Sequence, residues 1–443
     1  MTRIRTAGMA AAAVLLSWAA LAPRALADEA GGEERLRRLE ELVRRQAEEM
    51  GRLRSEVASE RASREPSRLT TDELEHAVGA YLARSGTGEV AVLPPDRGLR
   101  GVRLGVYLHA VYLSPSEETS HFDLHRLILA GDAEIGPNVD FSFEIEFEHG
   151  GISDEVPGEI VIEKAEVAFR VSDAFTPLVG AILVPFGRYN LHHDDPINDF
   201  TVRPFTARFL MPTGFGQPGI GLEGAAPFGR DHVFAYKAAL TNGWKDDFTA
   251  DEGVREARPA WDEDGNDDKQ VWARASVTWA TCALDTLETG VSGTWAKYDA
   301  EGRNDLFGWG FDLLARKGPF ELSGELLGYS YERDAADPAD AITGQWGAYA
   351  QLAYHFFPGF WRCSSPNAFL SDTSLFTLAV RYEHMDLDDR TDGATFEDDL
   401  SAWGIGLNYR ITERTVLRLD HTWYLPETGD ERTLLAFSFS TYF

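Results

Sequence analysis

Thr433-Leu434-Leu435-Ala436-Phe437-Ser438-Phe439-Ser440-Thr441-Tyr442-Phe443 alternates in steps of two. Leu435, Phe437, Phe439, Thr441 and Phe443 share one face; Leu434, Ala436, Ser438, Ser440 and Tyr442 share the other. A period of two marks a β-strand whose faces meet unlike surroundings. Here one face is apolar to the last residue and the other is small and polar. A membrane barrel strand has this pattern, with lipid outside and a polar lumen inside. A soluble sandwich strand alternates in the same way, so the rest of the chain decides.

From Gly101 onward the pattern recurs. The approximate strand cores are 102–113, 122–135, 139–149, 159–171, 175–186, 216–227, 232–241, 271–280, 287–298, 306–316, 320–331, 345–356, 374–385, 401–411, 415–425 and 433–443, sixteen in all. Each is near the length a tilted membrane strand needs. Links after even strands are mostly short, such as Gly136-Pro137-Asn138 and Lys317-Gly318-Pro319, whereas links after odd strands, such as 242–270 and 386–399, are long and acidic. Short periplasmic turns and long outer loops produce that parity. Val139, Phe141, Phe143, Ile145 and Phe147 oppose Asp140, Ser142, Glu144, Glu146 and Glu148. Charges on the inner face of a closed sheet imply a hydrated channel. The fold expected is all-β, a 16-stranded antiparallel transmembrane β-barrel over 101–443, preceded by an N-terminal helical coiled-coil segment.

Residues 1–27 read as a signal peptide, with Arg3 and Arg5, an apolar run from Ala10 to Ala22, and Ala25-Leu26-Ala27 as the cleavage site. Residues 28–64 carry a heptad seam of Leu36, Leu39, Val43, Gln46, Met50, Leu53 and Val57, which predicts self-association in a coiled coil. Residues 65–100 form a linker with a short helix opened by Thr70-Thr71-Asp72-Glu73. The formal net charge is −30, and the predicted leader would remove only basic groups. Nucleic acid is therefore excluded as a partner. By link parity both cysteines, Cys282 and Cys363, fall on the periplasmic side, where an exported chain is able to bond them as a disulfide.

The connection 187–215 is too rich in Phe, Leu and Met for a solvent loop. Folded into the lumen it would form a pore constriction that sets Arg188, Arg203 and Arg208 near His192, His193, Asp194 and Asp195, a charge arrangement suited to ion selectivity. An external lid or a subunit-contact loop is the alternative. His and Asp are metal ligands, but adjacent ones do not converge unaided, so no metal site is assigned. By alternation the lumen lining includes Arg103, Arg126, Glu144, Glu146, Lys164, Arg170, Arg316, Arg381, Arg418 and Asp420. The sequence contains neither a nucleotide-binding glycine loop in a strand–helix setting nor Gly-x-Ser-x-Gly, so no catalytic residue and no cofactor is assigned.

Leu178-Val179-Gly180-Ala181-Ile182-Leu183-Val184-Pro185-Phe186-Gly187 with the Arg/His/Asp segment after it, Gly219-Ile220-Gly221-Leu222-Glu223-Gly224, and terminal Phe443 resemble the phosphate-selective porin O/P family and its coiled-coil-bearing relatives. The resemblance implies a homotrimer in the outer membrane of a Gram-negative bacterium, with its coiled coil in the periplasm. Partners would be outer-membrane lipid and lipopolysaccharide, and small ions or polar solutes. Phosphate-selective members use a lysine-rich path, whereas this chain has six lysines among many acids, so phosphate selectivity is not carried over. The function expected is passive diffusion of small hydrophilic solutes or ions. A structural anchor presenting the coiled coil toward the cell wall is the alternative, and an outer-membrane hydrolase a weaker third.

Overall fold

The structure is a computed structural model and describes residues 102–443 except 137, 151, 154–155, 230, 263, 335–337, 339–340, 359–366, 368, 372 and 392. The predicted leader, coiled coil and linker lie outside the described residues, as does Cys363.

Alternation becomes sixteen barrel strands: β1 Val102–Pro115, β2 His121–Gly136, β3 Val139–Glu148, β4 Ile160–Phe169, β5 Thr176–Leu183, β6 Gly216–Phe228, β7 His232–Asn242, β8 Lys269–Thr278, β9 Thr286–Lys297, β10 Asp305–Lys317, β11 Phe320–Tyr331, β12 Gly344–Phe356, β13 Leu375–Asp386, β14 Leu400–Thr412, β15 Thr415–Pro426 and β16 Arg432–Tyr442. Each pairs antiparallel with its neighbour in sequence, and β16 returns to β1, Tyr442 opposite Tyr107, to close the barrel. Closure leaves no unpaired edge, the condition for a sheet that sits in lipid. The short link between β2 and β3 turns on Asn138, whose φ of 62° lies in the left-handed region that Asn tolerates.

Faces sort as the alternation requires. On β10, Phe307 and Phe311 are 53% and 55% exposed while Leu306 is 0% exposed. On β16, Leu435 and Phe437 face out, and Ala436, Ser438 and Ser440 are buried. Among the described residues no helix is long and apolar enough to cross a membrane.

Four register shifts interrupt the pairing, two of them within the runs that line the site. Between β1 and β2, His109 pairs with Arg126 and Val111 with Asp123, so two residues of β2 oppose one of β1. Between β3 and β4, Glu144 pairs with Lys164 but Ile145 pairs with Ile162. The extra residue is Glu163, and the bulge buries Glu163 and Lys164 side by side. Alternation alone would turn one of them outward.

A large apolar cluster is buried within the barrel. Phe186, Phe205, Leu210, Met211 and Phe215 from the β5–β6 connection pack with Trp272 of β8, Leu327 and Tyr329 of β11, and Met385 of β13. Trp244, Phe248 and Val254 from the β7–β8 loop belong to the same cluster.

Candidate functional site

The connection 184–215 runs from β5 to β6 and is bonded to the wall mainly through its own backbone. Glu325 of β11 accepts from the amides of Arg188 (2.6 Å) and Tyr189 (3.0 Å). Glu383 of β13 accepts from the amide of Phe205 (2.7 Å), and Asp420 of β15 from the amide and hydroxyl of Thr201 (3.2 and 2.5 Å). Where carbonyls point at the wall, arginines meet them: Arg381 bonds Val202 O (2.9 Å), Arg410 bonds Pro196 O (2.5 Å), and Arg418 bonds Asn198 O (2.9 Å) and Asp195 O. A loop without a ladder must find partners for its buried amides and carbonyls. Here charged wall side chains supply them.

Asn190 joins the two ends of the segment. It is buried, donates to Val184 O (2.9 Å) and Phe215 O (3.3 Å), and accepts from the amides of Gly214 (3.1 Å) and Phe215 (3.2 Å). Gly187 (φ +72°) and Gly214 (φ +84°) flank this staple, and a Cβ at either would collide with a wall carboxylate, of Glu325 and Glu163 respectively.

At the tip, His193, Asp194 and Asp195 are all buried. His193 Nε2 lies 3.3 Å from Glu163 of β4, and its Nδ1 is 2.9 Å from Asn190 O. Tyr442 donates to Asp194 (3.0 Å). Asp195 Oδ2 lies 3.0 Å from His109 of β1 and 3.3 Å from Arg126 of β2. Arg126 also holds Glu146 and Glu148 of β3. Burial opposes charge on His193, but Glu163 outweighs it and lifts the imidazole to about 9. Burial would raise Asp195; His109 and Arg126 overcome it and hold the carboxyl well below its usual range. Burial pushes Asp194 up and His192 well down, the latter helped by Arg188 and Arg274.

Of the seven residues predicted for a constriction, the structure brings His193, Asp194 and Asp195 into one network. Their charges are felt with that of Arg203, whose Nη1 bonds Thr213 O (2.9 Å). His192 feels instead the charges of Arg188 and Arg274. Arg208 lies apart, its guanidinium 5.0 Å from the ring of Phe209. Among the residues predicted to line the lumen, Arg126, Glu146, Lys164, Arg381, Arg418 and Asp420 are buried inside the barrel. Glu144 is half-buried beside Lys164, its register partner. Arg103 is exposed near the start of β1; Arg170 pairs with Asp140 (2.5 Å) just past the end of β4, and Arg316 with Glu321 (2.6 Å). Cys282 is exposed. Among the described residues no group of three or more His, Cys, Asp and Glu side chains is set to hold a metal ion.

Sequence reading missed Asn190, Glu163 and His109. His109 carried a signal in its inward parity on β1, and Glu163 in the change of apolar parity across Glu163-Lys164; Asn190 carried none.

No family model matches the chain. A curated protein of Aquifex aeolicus, described only as uncharacterized, is 32% identical over 149 residues, 33% of each chain, so the match spans a third of that relative's length. Among solved structures, Salmonella typhi OmpF in complex with daunomycin superposes with a TM-score of 0.52 at 9% identity, covering 77% of this chain and 97% of that one. An anion-selective porin from Comamonas acidovorans gives 0.48 at 13% identity, covering 77% and 99%. The channel DcaP of Acinetobacter baumannii gives 0.45 at 12%, covering 79% and 100%. The OmpF likeness is one of fold: the closed 16-stranded barrel of outer-membrane porins.

Proposed function

We propose that the protein is an outer-membrane porin, a passive diffusion channel for small hydrophilic solutes or ions, with residues 184–215 as its constriction. One observation carries this reading. A segment between two strands of a closed barrel, apolar outside, is bonded along its backbone to inward-facing Glu325, Glu383, Asp420, Arg381, Arg410 and Arg418. Arg188, His192, His193, Asp194, Asp195, Arg203 and Arg208 would set the charge a permeating ion meets. The barrel would assemble as a homotrimer with residues 28–64 as a periplasmic coiled coil.

Purified protein in planar bilayers is expected to conduct, with a reversal potential that moves when Arg203 is replaced by Gln. Protein that is folded and inserted yet silent under every salt and voltage overturns the proposal. The membrane setting has its own test. Phe437, 44% exposed on the outer face, replaced by Arg is expected to lose about 2–4 kcal/mol of folding stability in lipid vesicles if it lies near the bilayer midplane. A loss under about 0.5 kcal/mol would place Phe437 away from the bilayer midplane.

A further inference from the structure

We propose that Glu163 is a positioning residue whose ion pair with His193 clamps the inward segment, so that loss of the His193 proton releases it. This rests on the reading of 184–215 as the constriction. The β3–β4 bulge turns Glu163 inward, where it is buried. One oxygen faces His193 Nε2 at 3.3 Å. The other lies where a Cβ on Gly214 would stand, 2.1 Å away, and the carbonyl of Glu163 crowds the Cβ position of Gly216 (1.9 Å). Glu163 thus fits only against a chain that carries two glycines at its return to β6. His193 passes the hold to Asn190 O, and Asn190 staples the segment's ends. One side chain of the wall thereby fixes both the tip and the base.

The pair depends on a proton. Neutral His193 would leave Glu163 as a buried carboxylate without its nearest countercharge, a costly state. Charged and titratable groups around His193 are Glu144 and Glu146 of β3, Glu163 and Lys164 of β4, Tyr442 of β16, and His192, Asp194, Asp195 and Arg203 of the segment. Because the imidazole is held at about 9, above the ordinary value near 6.5, its contribution is complete below about 6.5 and lost as pH rises through about 9.

The test uses the full chain folded in detergent micelles, with barrel integrity read from heat-modifiable gel migration. Trypsin reports whether the segment is seated, by cleavage after Arg208. Wild type is expected to be protected at pH 7.5 and cut above about 9.5. Glu163→Gln should be cut at pH 7.5, and Glu163→Asp should regain protection there. In bilayers the wild-type conductance is expected to change with a midpoint near 9, and that midpoint should vanish in Glu163→Gln. Protection that ignores pH through 10, or a Glu163→Gln profile matching wild type, overturns the clamp. Should Glu163→Gln not fold, the wild-type pH series still decides. A chain that never conducts but loses protection near pH 9 overturns the channel reading and keeps the clamp. A channel that conducts with pH-independent protection does the reverse.

Discussion

Arg126→Met is expected to cost about 3–5 kcal/mol of folding stability, the scale for leaving buried charges unpaired. The guanidinium reaches Glu146, Glu148 and Asp195, drawn from β3 and from the segment's tip. Methionine fills similar volume but strips the three carboxylates of their shared ion pair, with His109 left beside Asp195. Those carboxylates would have to take up protons or water, and the tip would lose its tie to β2. The comparison is Arg170→Met. Arg170 has a single partner, Asp140, and its side chain is half exposed, so the expected cost is about 0–1 kcal/mol. Urea unfolding in micelles measures both, and equal losses would refute the network as a stabilising element.

Asn190→Ala should act locally. Four hydrogen bonds disappear, and the amides of Gly214 and Phe215 lose their only side-chain acceptor. Net worth per bond is about 0.5–1.5 kcal/mol, and an unmet buried group adds about 1–3 kcal/mol. The expected loss is about 3–4 kcal/mol for seating the segment, with sixteen strands left paired. Amide hydrogen exchange across 188–211 should quicken by about a hundredfold or more while β9–β12 amides stay protected. Exchange that rises equally in wall and segment would mean that Asn190 supports the barrel and not its connection.

The barrel was legible because its causes are local. Phe307-Gly308-Trp309-Gly310-Phe311 states its faces without knowledge of its partners, and β11 begins and ends at the residues the alternation predicts. The site was less so. In residues 160–169 the outward face passes from even positions, Ile160 and Ile162, to an odd one, Phe169, across adjacent Glu163 and Lys164, but which of the two charges is the extra residue depends on the pairing with β3. Asn190 reads as one polar residue in a mixed loop, and its partners lie six and twenty-five positions away. Arg208 shows the reverse limit. Its charge suggested company with His192–Asp195, yet the π-helical turn Thr206–Leu210 lays it over Phe209, a member of the apolar cluster. Composition identified a segment that must pack inward; which of its side chains meet depended on the wall.

The pairing of β16 with β1 bears on the order of assembly. Every other barrel ladder joins strands adjacent along the chain, while this one brings residue 442 to residue 107 and ties the amide of Phe443 to Val106 O at 2.7 Å. The entropy lost on joining chain ends grows with the length between them, and non-local pairing slows folding. Sealing of the ring should therefore be the last and slowest event, after the hairpins have formed. Until it happens, β1 and β16 are two raw edges inviting a wrong neighbour. A cysteine pair engineered across Leu108 and Thr441, register partners at the seam, should bond later in refolding than one across Leu313 and Gly324.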